Sequence, residues 1–138
     1  MSVVERGEIP GRKRMTLALF VMIFACVGIS ALAQLAMKVG MSEGAIQRGL
    51  GAGAYADVFL TVARNPLVMG GLIAYVLGAG LWLFVLSKAE LSLVYPFVGM
   101  GFILTMLFGS LFLNEHVGLF RVVGTLLIAA GAFLVARS

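Results

Sequence analysis

The chain alternates long apolar stretches with short polar ones. Four apolar stretches carry at most one charge each, at residues 15–37, 65–87, 91–114 and 116–136. A helix of about 20 residues crosses a hydrocarbon core of roughly 30 Å, so each stretch is long enough to span a membrane. Lipid offers no partner to unpaired peptide groups, and these near-continuous runs lack the alternation of barrel strands. The pattern predicts an all-α integral membrane protein, a bundle of four transmembrane helices.

The longest connection, residues 39–64, is predicted to hold a short amphipathic helix in its second half. Apolar side chains recur there at helical spacing, opposite polar ones (Tyr55, Val58, Phe59 and Val62 against Asp57, Thr61 and Arg64). This pattern is typical of a helix on the bilayer surface, although an ordered loop that only links two spans is the alternative. Several glycines in the first half predict no stable helix there, since each interior Gly costs about 1 kcal/mol. Asn65-Pro66 is expected to start the second span.

Two segments make up the predicted domain organisation: a cytoplasmic N-terminal tail, 1–14, and a single four-helix transmembrane domain, 15–138. The first apolar run follows the basic Arg12-Lys13-Arg14, as in a signal peptide. It is too long for the apolar region of a signal peptide and lacks a clear small-x-small cleavage site. We therefore expect it to be retained as the first helix.

Composition and charge fit a membrane protein better than a soluble or nucleic-acid-binding one. The mean hydropathy is +1.10, and 62% of residues are hydrophobic while 12% are charged. The net charge of +4 comes from residues at helix ends and in loops, not from a continuous basic face. With four spans, one side holds six basic residues (Arg6, Arg12, Lys13, Arg14, Lys88 and Arg137) and the other holds four (Lys38, Arg48, Arg64 and Arg121). This excess predicts that both termini are cytoplasmic.

A polar stripe runs along the first predicted span. Ser30, Gln34 and Lys38 are spaced by four, so they share one face of an otherwise apolar helix. A buried amide needs partners, and a lysine at the membrane boundary either snorkels to the headgroups or meets an anion. Snorkelling by Lys38 and an interhelical hydrogen bond by Gln34 are the structural alternatives. The stripe as a whole favours a polar cavity inside the bundle.

Small residues mark possible helix contacts. Gly124 and Gly131 lie seven apart on one face of the fourth span, with Ile128 nearby, and Gly71 and Gly78 repeat that spacing in the second. Glycines on one face allow close backbone approach to another helix, either in a partner or within the same subunit.

Catalytic and metal-binding patterns are missing from the sequence. It has one His, no serine beside a base motif and no cluster with metal-ligand spacing, so we expect no enzyme activity, no catalytic residues, no metal and no cofactor. Two acids border the third span, Glu90 before it and Glu115 after it. For Glu115 a charge pair with Arg121 across the turn is expected, and for Glu90 an exposed interfacial carboxylate.

The order of several short motifs resembles the drug/metabolite transporter superfamily over residues 15–136. The motifs are Gln34-x-x-x-Lys38, Asn65-Pro66, Leu91-Ser-Leu-Val-Tyr-Pro96, Asn114-Glu115 and Gly124-Thr-Leu-Leu-Ile-Ala-Ala-Gly131. Two four-helix branches are similar: the small multidrug resistance proteins, and the short EamA-like proteins that include the subunits flipping aminoarabinose-linked undecaprenyl phosphate. The first branch carries a membrane-embedded glutamate eight residues before the lysine, where this chain has Ser30. No other carboxylate lies within a predicted span, and Tyr95-Pro96 is also more like the flippase branch.

The resemblance implies a flippase of the bacterial inner membrane that moves a polyprenyl-phosphate-linked sugar or another amphipathic anion. A phosphodiester needs a cation and hydrogen-bond donors, which Lys38, Gln34, Ser30 and Tyr95 would supply. The superfamily works as dimers or fused repeats, so a homodimer or a heterodimer with a paralogous four-helix subunit is implied. Its expected contact is the fourth-helix face of Gly124, Ile128 and Gly131.

Two other functions stay open from the sequence. A multidrug-type exporter of small or cationic solutes would need Glu90 or Glu115 to reach the cavity. A non-transporting membrane subunit of a glycosyltransferase system is the third class.

Overall fold

The computed structural model describes residues 16–137, with the side chain of Ala136 excepted, and it is helical throughout its regular structure. Six helices follow one another: α1 (Leu17–Met41), α2 (Gly44–Gly51), α3 (Tyr55–Arg64), α4 (Pro66–Lys88), α5 (Leu91–Phe112) and α6 (Leu119–Arg137). The predicted tail 1–14 and its four basic residues lie outside the described part of the chain.

Three of the helices, α1, α4 and α5, are long and apolar enough to cross a membrane, and α6 is a shorter apolar helix over Leu119–Val135. Many of their large apolar side chains are exposed, for example Leu77, Leu83 and Leu111. In water such surfaces would drive association, whereas in a bilayer they face lipid at no cost. The chain is a multi-pass membrane protein, as its composition predicts.

The close contact between α1 and α4 is built on glycines of α4. A Cβ at Gly71 would lie 2.8 Å from the carbonyl oxygen of Ala33, and one at Gly78 would lie 3.3 Å from Cγ2 of Ile29. The backbones therefore approach as closely as small residues permit, which gains dispersion contacts that lipid cannot replace. Of the two roles left open by the sequence, Gly71 and Gly78 take the one within the subunit.

A small apolar core joins α1, α4 and α5 at one end of the molecule. Its buried members lie near the start of α1, the end of α4 and the start of α5 (Ile23, Cys26, Val27, Val85, Val94 and Phe97). Since α1 packs against both α4 and α5, it is the central helix of this group. Helix α6 packs mainly against α5, where Cγ2 of Ile128 would lie 2.9 Å from a Cβ at Gly99.

The start of α4 is fixed by Asn65, as the sequence predicts. Its Oδ1 accepts hydrogen bonds from the amides of Leu67 (3.0 Å) and Val68 (3.1 Å), which caps the helix. Its Nδ2 donates to Oε2 of Glu43 at 2.6 Å and to the carbonyl of Gly40 at 3.4 Å. One buried side chain thus ties the end of α1 to the start of α4.

The prediction for 39–64 is half right. Helix α3 covers Tyr55–Arg64 as expected, but α2 forms at Gly44–Gly51, where the glycines predicted no stable helix. Gly44 and Gly51 lie at the ends of α2, so Gly49 alone carries the interior penalty. Ile46 is fully buried, and burying such a side chain contributes about 1.5–3 kcal/mol. Gly49 also lets Val58 of α3 approach, because Cγ2 of Val58 lies 2.6 Å from where a Cβ would stand.

The turn between the last two helices is longer than predicted. Helix α5 ends at Phe112 and α6 begins at Leu119, three residues after the expected start at 116. Asn114 adopts a left-handed conformation, with φ 51°, which an Asn tolerates better than most residues. The amides of Leu113 and Glu115 both donate to the carbonyl of Gly109. These hydrogen bonds at the end of α5 set the direction of the Glu115 side chain.

Candidate functional site

Two adjoining cavities run along α1 beyond the apolar core, and together we call them the polar groove. The first, of about 270 Å³, lies between α1, α4 and α5. Beside small and apolar residues, it is lined by the polar and aromatic side chains of Ser30, Gln34, Tyr75, Trp82, Tyr95, Phe102 and Thr105. The second, of about 290 Å³, includes Gln34, Lys38, Thr105 and Glu115 in its lining. Three residues, Ala31, Gln34 and Thr105, line both cavities, so the two lie side by side.

The predicted stripe on α1 faces this groove along its length. Ser30 lines the first cavity, Gln34 lines both, and Lys38 lines the second. Gln34 is exposed and, among residues 16–137, makes no hydrogen bond to another side chain. The interhelical bond considered for it is therefore not formed within the described chain, and its amide is available to a ligand.

Lys38 meets an anion at the end of the groove. Its Nζ lies 4.0 Å from Oε1 of Glu115, and the side chains of the two residues are 59% and 42% exposed. A pair this long and this exposed contributes little to stability, about 0–1 kcal/mol. Lys38 can therefore exchange Glu115 for another anion at small cost.

Glu115 pairs with Lys38 rather than with Arg121, so the sequence expectation for its partner is wrong. The left-handed Asn114 turns the chain back over the end of α5, and the Glu115 carboxylate lies against Gly109. A Cβ at Gly109 would stand 2.9 Å from Oε2 of Glu115. The bare glycine thus leaves room for the carboxylate at the mouth of the groove.

Glu90 lies at the opposite end of α5 from Glu115. It is the residue before the first turn of that helix, where its backbone carbonyl accepts from the amides of Leu93 and Val94, and its side chain makes no capping bond. It lines neither cavity of the polar groove. Of the two acids considered, the structure brings Glu115 to the groove and leaves Glu90 exposed at the other end.

Aromatic and hydroxyl groups of α4 and α5 complete the groove, and the sequence did not single out three of them. Tyr75, Trp82 and Thr105 line the first cavity beside the predicted Tyr95. Thr105 donates its hydroxyl to the carbonyl of Gly101 at 3.0 Å, so its oxygen is left as an acceptor. One sequence signal could have identified Tyr75. It precedes Gly78 by about one helical turn, so both lie on the face of α4 that approaches Ser30.

The groove combines charged, polar and aromatic side chains, with the carboxylate of Glu115 beside Lys38. It offers one cation in Lys38, an amide in Gln34, hydroxyls in Ser30 and Tyr95, and aromatic surfaces on which a sugar ring can pack. Within residues 16–137, no group of three His, Cys, Asp or Glu side chains is placed to hold a metal ion. The arrangement provides binding and positioning groups.

The expected dimer face divides into two parts. Ile128 contacts α5 of its own chain, whereas a Cβ at Gly124 or at Gly131 would meet no atom within 4 Å. These two glycines therefore lie on a surface that residues 16–137 leave open.

Comparisons with known proteins place similar sequences in one functional group. No protein-family model and no solved structure matches the chain. A Pseudomonas paraeruginosa protein named "Probable 4-amino-4-deoxy-L-arabinose-phosphoundecaprenol flippase subunit ArnE" is 33% identical over 82 residues, 59% of this chain and 71% of that protein. A subunit of the same name from Pseudomonas syringae pv. syringae is 33% identical over 87 residues, 62% and 76% of the two chains. The corresponding subunit ArnF of Sodalis glossinidius is 32% identical over 71 residues, 50% and 55% of the two chains.

Proposed function

The chain belongs to the family of 4-amino-4-deoxy-L-arabinose-phosphoundecaprenol flippase subunits, and we propose that it is a subunit of a flippase for a polyprenyl-phosphate-linked sugar. Family membership supports transport rather than catalysis. The predicted resemblance to the aminoarabinose flippase subunits is confirmed by these relatives.

The observation that carries the proposal is a polar groove, ending in an exchangeable lysine, within a set of lipid-facing helices. A lipid-linked sugar has a charged headgroup and a long apolar tail, which need different surroundings. The groove can take the headgroup, and the exposed apolar faces of α1, α4 and α5 leave the tail in lipid. Burying the headgroup alone lowers the main barrier to crossing, since a charge in lipid is costly.

Lys38 is proposed as the phosphate ligand, with Gln34, Ser30 and Tyr95 as hydrogen-bond donors to the headgroup. A lysine is a compact, mobile point charge, which suits a ligand that must be released again. Its existing contact with Glu115 is loose, so a phosphate oxygen at hydrogen-bond distance is the stronger partner. Tyr95 lines the first cavity and Lys38 lines the second, so these groups are spread along the groove.

We also propose the finer membrane arrangement that the sequence predicts. Helix α6 would be a fourth span, since its 19 residues extend about 28 Å. Both termini would then be cytoplasmic in the bacterial inner membrane, with Lys38 and Glu115 near the opposite surface. Helix α3 would lie on that surface, a position supported by the exposed rings of Tyr55 and Phe59.

A partner subunit is proposed to complete the transport path. Helix α6 packs mainly against α5, so much of its surface is uncovered, including the face of Gly124 and Gly131. Similarity to both ArnE and ArnF favours a paralogous four-helix partner or a second copy of this chain.

A reconstitution experiment tests the proposed function. We expect vesicles containing the chain with its partner to expose an undecaprenyl-phosphate-linked aminoarabinose to an impermeant amine reagent on the far side. Vesicles without protein should protect about half of the lipid. If the lipid is protected from the reagent equally with and without protein, transport is contradicted. Stimulation of a co-reconstituted glycosyltransferase in the same vesicles would then favour the non-transporting subunit.

A multidrug-type exporter is the second candidate, because Glu115 does reach the groove. The carboxylate is paired with Lys38, however, and no helix from α1 to α6 carries an acid that lies deep within a span. We therefore expect the purified protein to show no tight binding of a quaternary ammonium compound that is released on protonation near neutral pH. Isothermal titration at two pH values would measure this, and pH-coupled binding lost in Glu115→Gln would establish the exporter instead.

A further inference from the structure

We propose that Lys38 and Glu115 together form a recognition site for a zwitterionic headgroup, in which Lys38 binds the phosphate and Glu115 binds the ammonium of an amino sugar. The proposal rests on the proposed function and adds a residue that determines its specificity. It gives Glu115 a role in selecting amino sugars over sugars without a positive charge.

The pair has the properties of a binding site rather than of a structural bridge. Its two charged atoms are 4.0 Å apart, both side chains are about half exposed, and both line the same cavity. A structural ion pair gains from short contact and from additional hydrogen bonds to each partner. Among the described residues, Glu115 has no side-chain hydrogen bond that would hold it to Lys38, so a ligand can separate the two.

The backbone aims the carboxylate into the groove. The amide of Glu115 donates to the carbonyl of Gly109 at 3.0 Å, and the left-handed Asn114 makes that return of the chain possible. The side chain then lies over Gly109, where the backbone without a Cβ leaves room for it. Three local features thus place a negative charge beside Lys38.

Glu115 is the acid that the groove offers to an ammonium group. Glu43 accepts a hydrogen bond from the buried Asn65 and lines a different cavity, together with Asp57 and Arg64. Glu90 is at the far end of α5. Among the residues lining the two groove cavities, Glu115 is the only carboxylate and Lys38 the only cation.

Charge balance explains why this pair would select a zwitterion. A headgroup with a phosphate and an ammonium satisfies both side chains, so one loose ion pair is exchanged for two charge-assisted contacts. A purely anionic headgroup satisfies Lys38 but places its phosphate next to an unpaired Glu115, and like charges at this distance repel. The site therefore favours the amino sugar through both attraction and repulsion.

Competition between two lipids tests the proposal in the reconstituted protein with its partner. The probes are an undecaprenyl-phosphate-linked 4-amino-4-deoxy-L-arabinose and the same lipid with its amine acetylated. We expect the unmodified protein to move the amino lipid about tenfold faster at limiting concentration, the value of one charge-assisted contact. Glu115→Gln should remove this preference and leave slow movement of both lipids.

Two glycine variants test the position of the Glu115 carboxylate without changing its charge. Gly109→Ala would place a methyl group 2.9 Å from Oε2 of Glu115, which a flexible side chain avoids by moving, and should reduce the preference without loss of helix content. Gly118→Ala, in the turn between α5 and α6, is the control, because a Cβ there meets no described atom within 4 Å. It should behave as the unmodified protein does.

The outcomes of these experiments test the role of Glu115 separately from the proposed flippase function. Equal movement of both lipids by the unmodified protein, or a preference that survives Glu115→Gln, would overturn the role of Glu115 while leaving the flippase intact. Movement of neither lipid would overturn the flippase and the inference with it. Binding can be followed independently through the fluorescence of Trp82, the single tryptophan, which lines the first cavity.

Discussion

Replacing Lys38 by alanine is expected to abolish transport while expression and assembly stay normal. The variant Lys38→Ala removes the cation at the end of the polar groove and leaves Glu115 there alone. A charge-assisted hydrogen bond is worth about 1.5–3 kcal/mol, or roughly 10- to 100-fold in affinity. Repulsion between Glu115 and the phosphate adds to this loss. Initial rates of lipid movement in vesicles, at limiting substrate, provide the measurement.

Folding should not suffer, because the Lys38 side chain is 59% exposed and its ion pair is long. Lys38→Arg should keep part of the activity, since it retains the charge but not the compact ammonium group. The matched control is Lys88→Ala, which removes the other lysine of the spanning helices. Lys88 ends α4 at the opposite surface, where it lies 5.6 Å from the ring centroid of Phe84. Full transport by Lys38→Ala would remove this residue from the binding site.

The second large effect is expected at the open face of α6. The double variant Gly124→Leu with Gly131→Leu should shift the protein toward monomer in detergent and stop transport. Both glycines are left open by the described part of the chain, and in lipid close backbone contact is a main source of helix association. Two leucines would hold the helices apart. Size-exclusion chromatography with light scattering, and crosslinking across α6, measure the assembly.

Helix content by circular dichroism should remain unchanged, since a Cβ at either position meets no atom of residues 16–137 within 4 Å. Gly70→Leu with Gly80→Leu is the matched control, because a Cβ at either position also meets nothing within 4 Å and both lie on α4. That control should assemble and transport normally. A working dimer in the Gly124 and Gly131 variant would show that these glycines are not the contact.

Local chemistry is what the sequence predicts well in this protein. The helices α1, α4 and α5 follow directly from apolar runs, because the cost of exposing peptide groups to lipid depends on each segment alone. Asn65-Pro66 starts α4 as expected, since capping involves neighbouring residues. The stripe of Ser30, Gln34 and Lys38 follows from helical periodicity, and the structure places all three on one groove.

Contacts between distant segments are what the sequence leaves undecided. Helix α2 exists because Ile46 is buried and Gly49 admits Val58, and neither contact can be read from the glycine content of the segment. The groove residues Tyr75, Trp82 and Thr105 carry no pattern that distinguishes them from other residues of apolar helices. Their role depends on how α4 and α5 are set against α1.

Hydrophobicity and helical spacing are properties of single segments, so the amino-acid order alone predicts a helical membrane protein with a polar stripe ending in Lys38. The tertiary structure decided that Glu115, and not Glu90, shares the groove with Lys38. That choice depends on the left-handed turn at Asn114 and the open space at Gly109. Charge pairing between helices requires their relative placement, which packing sets and local sequence does not.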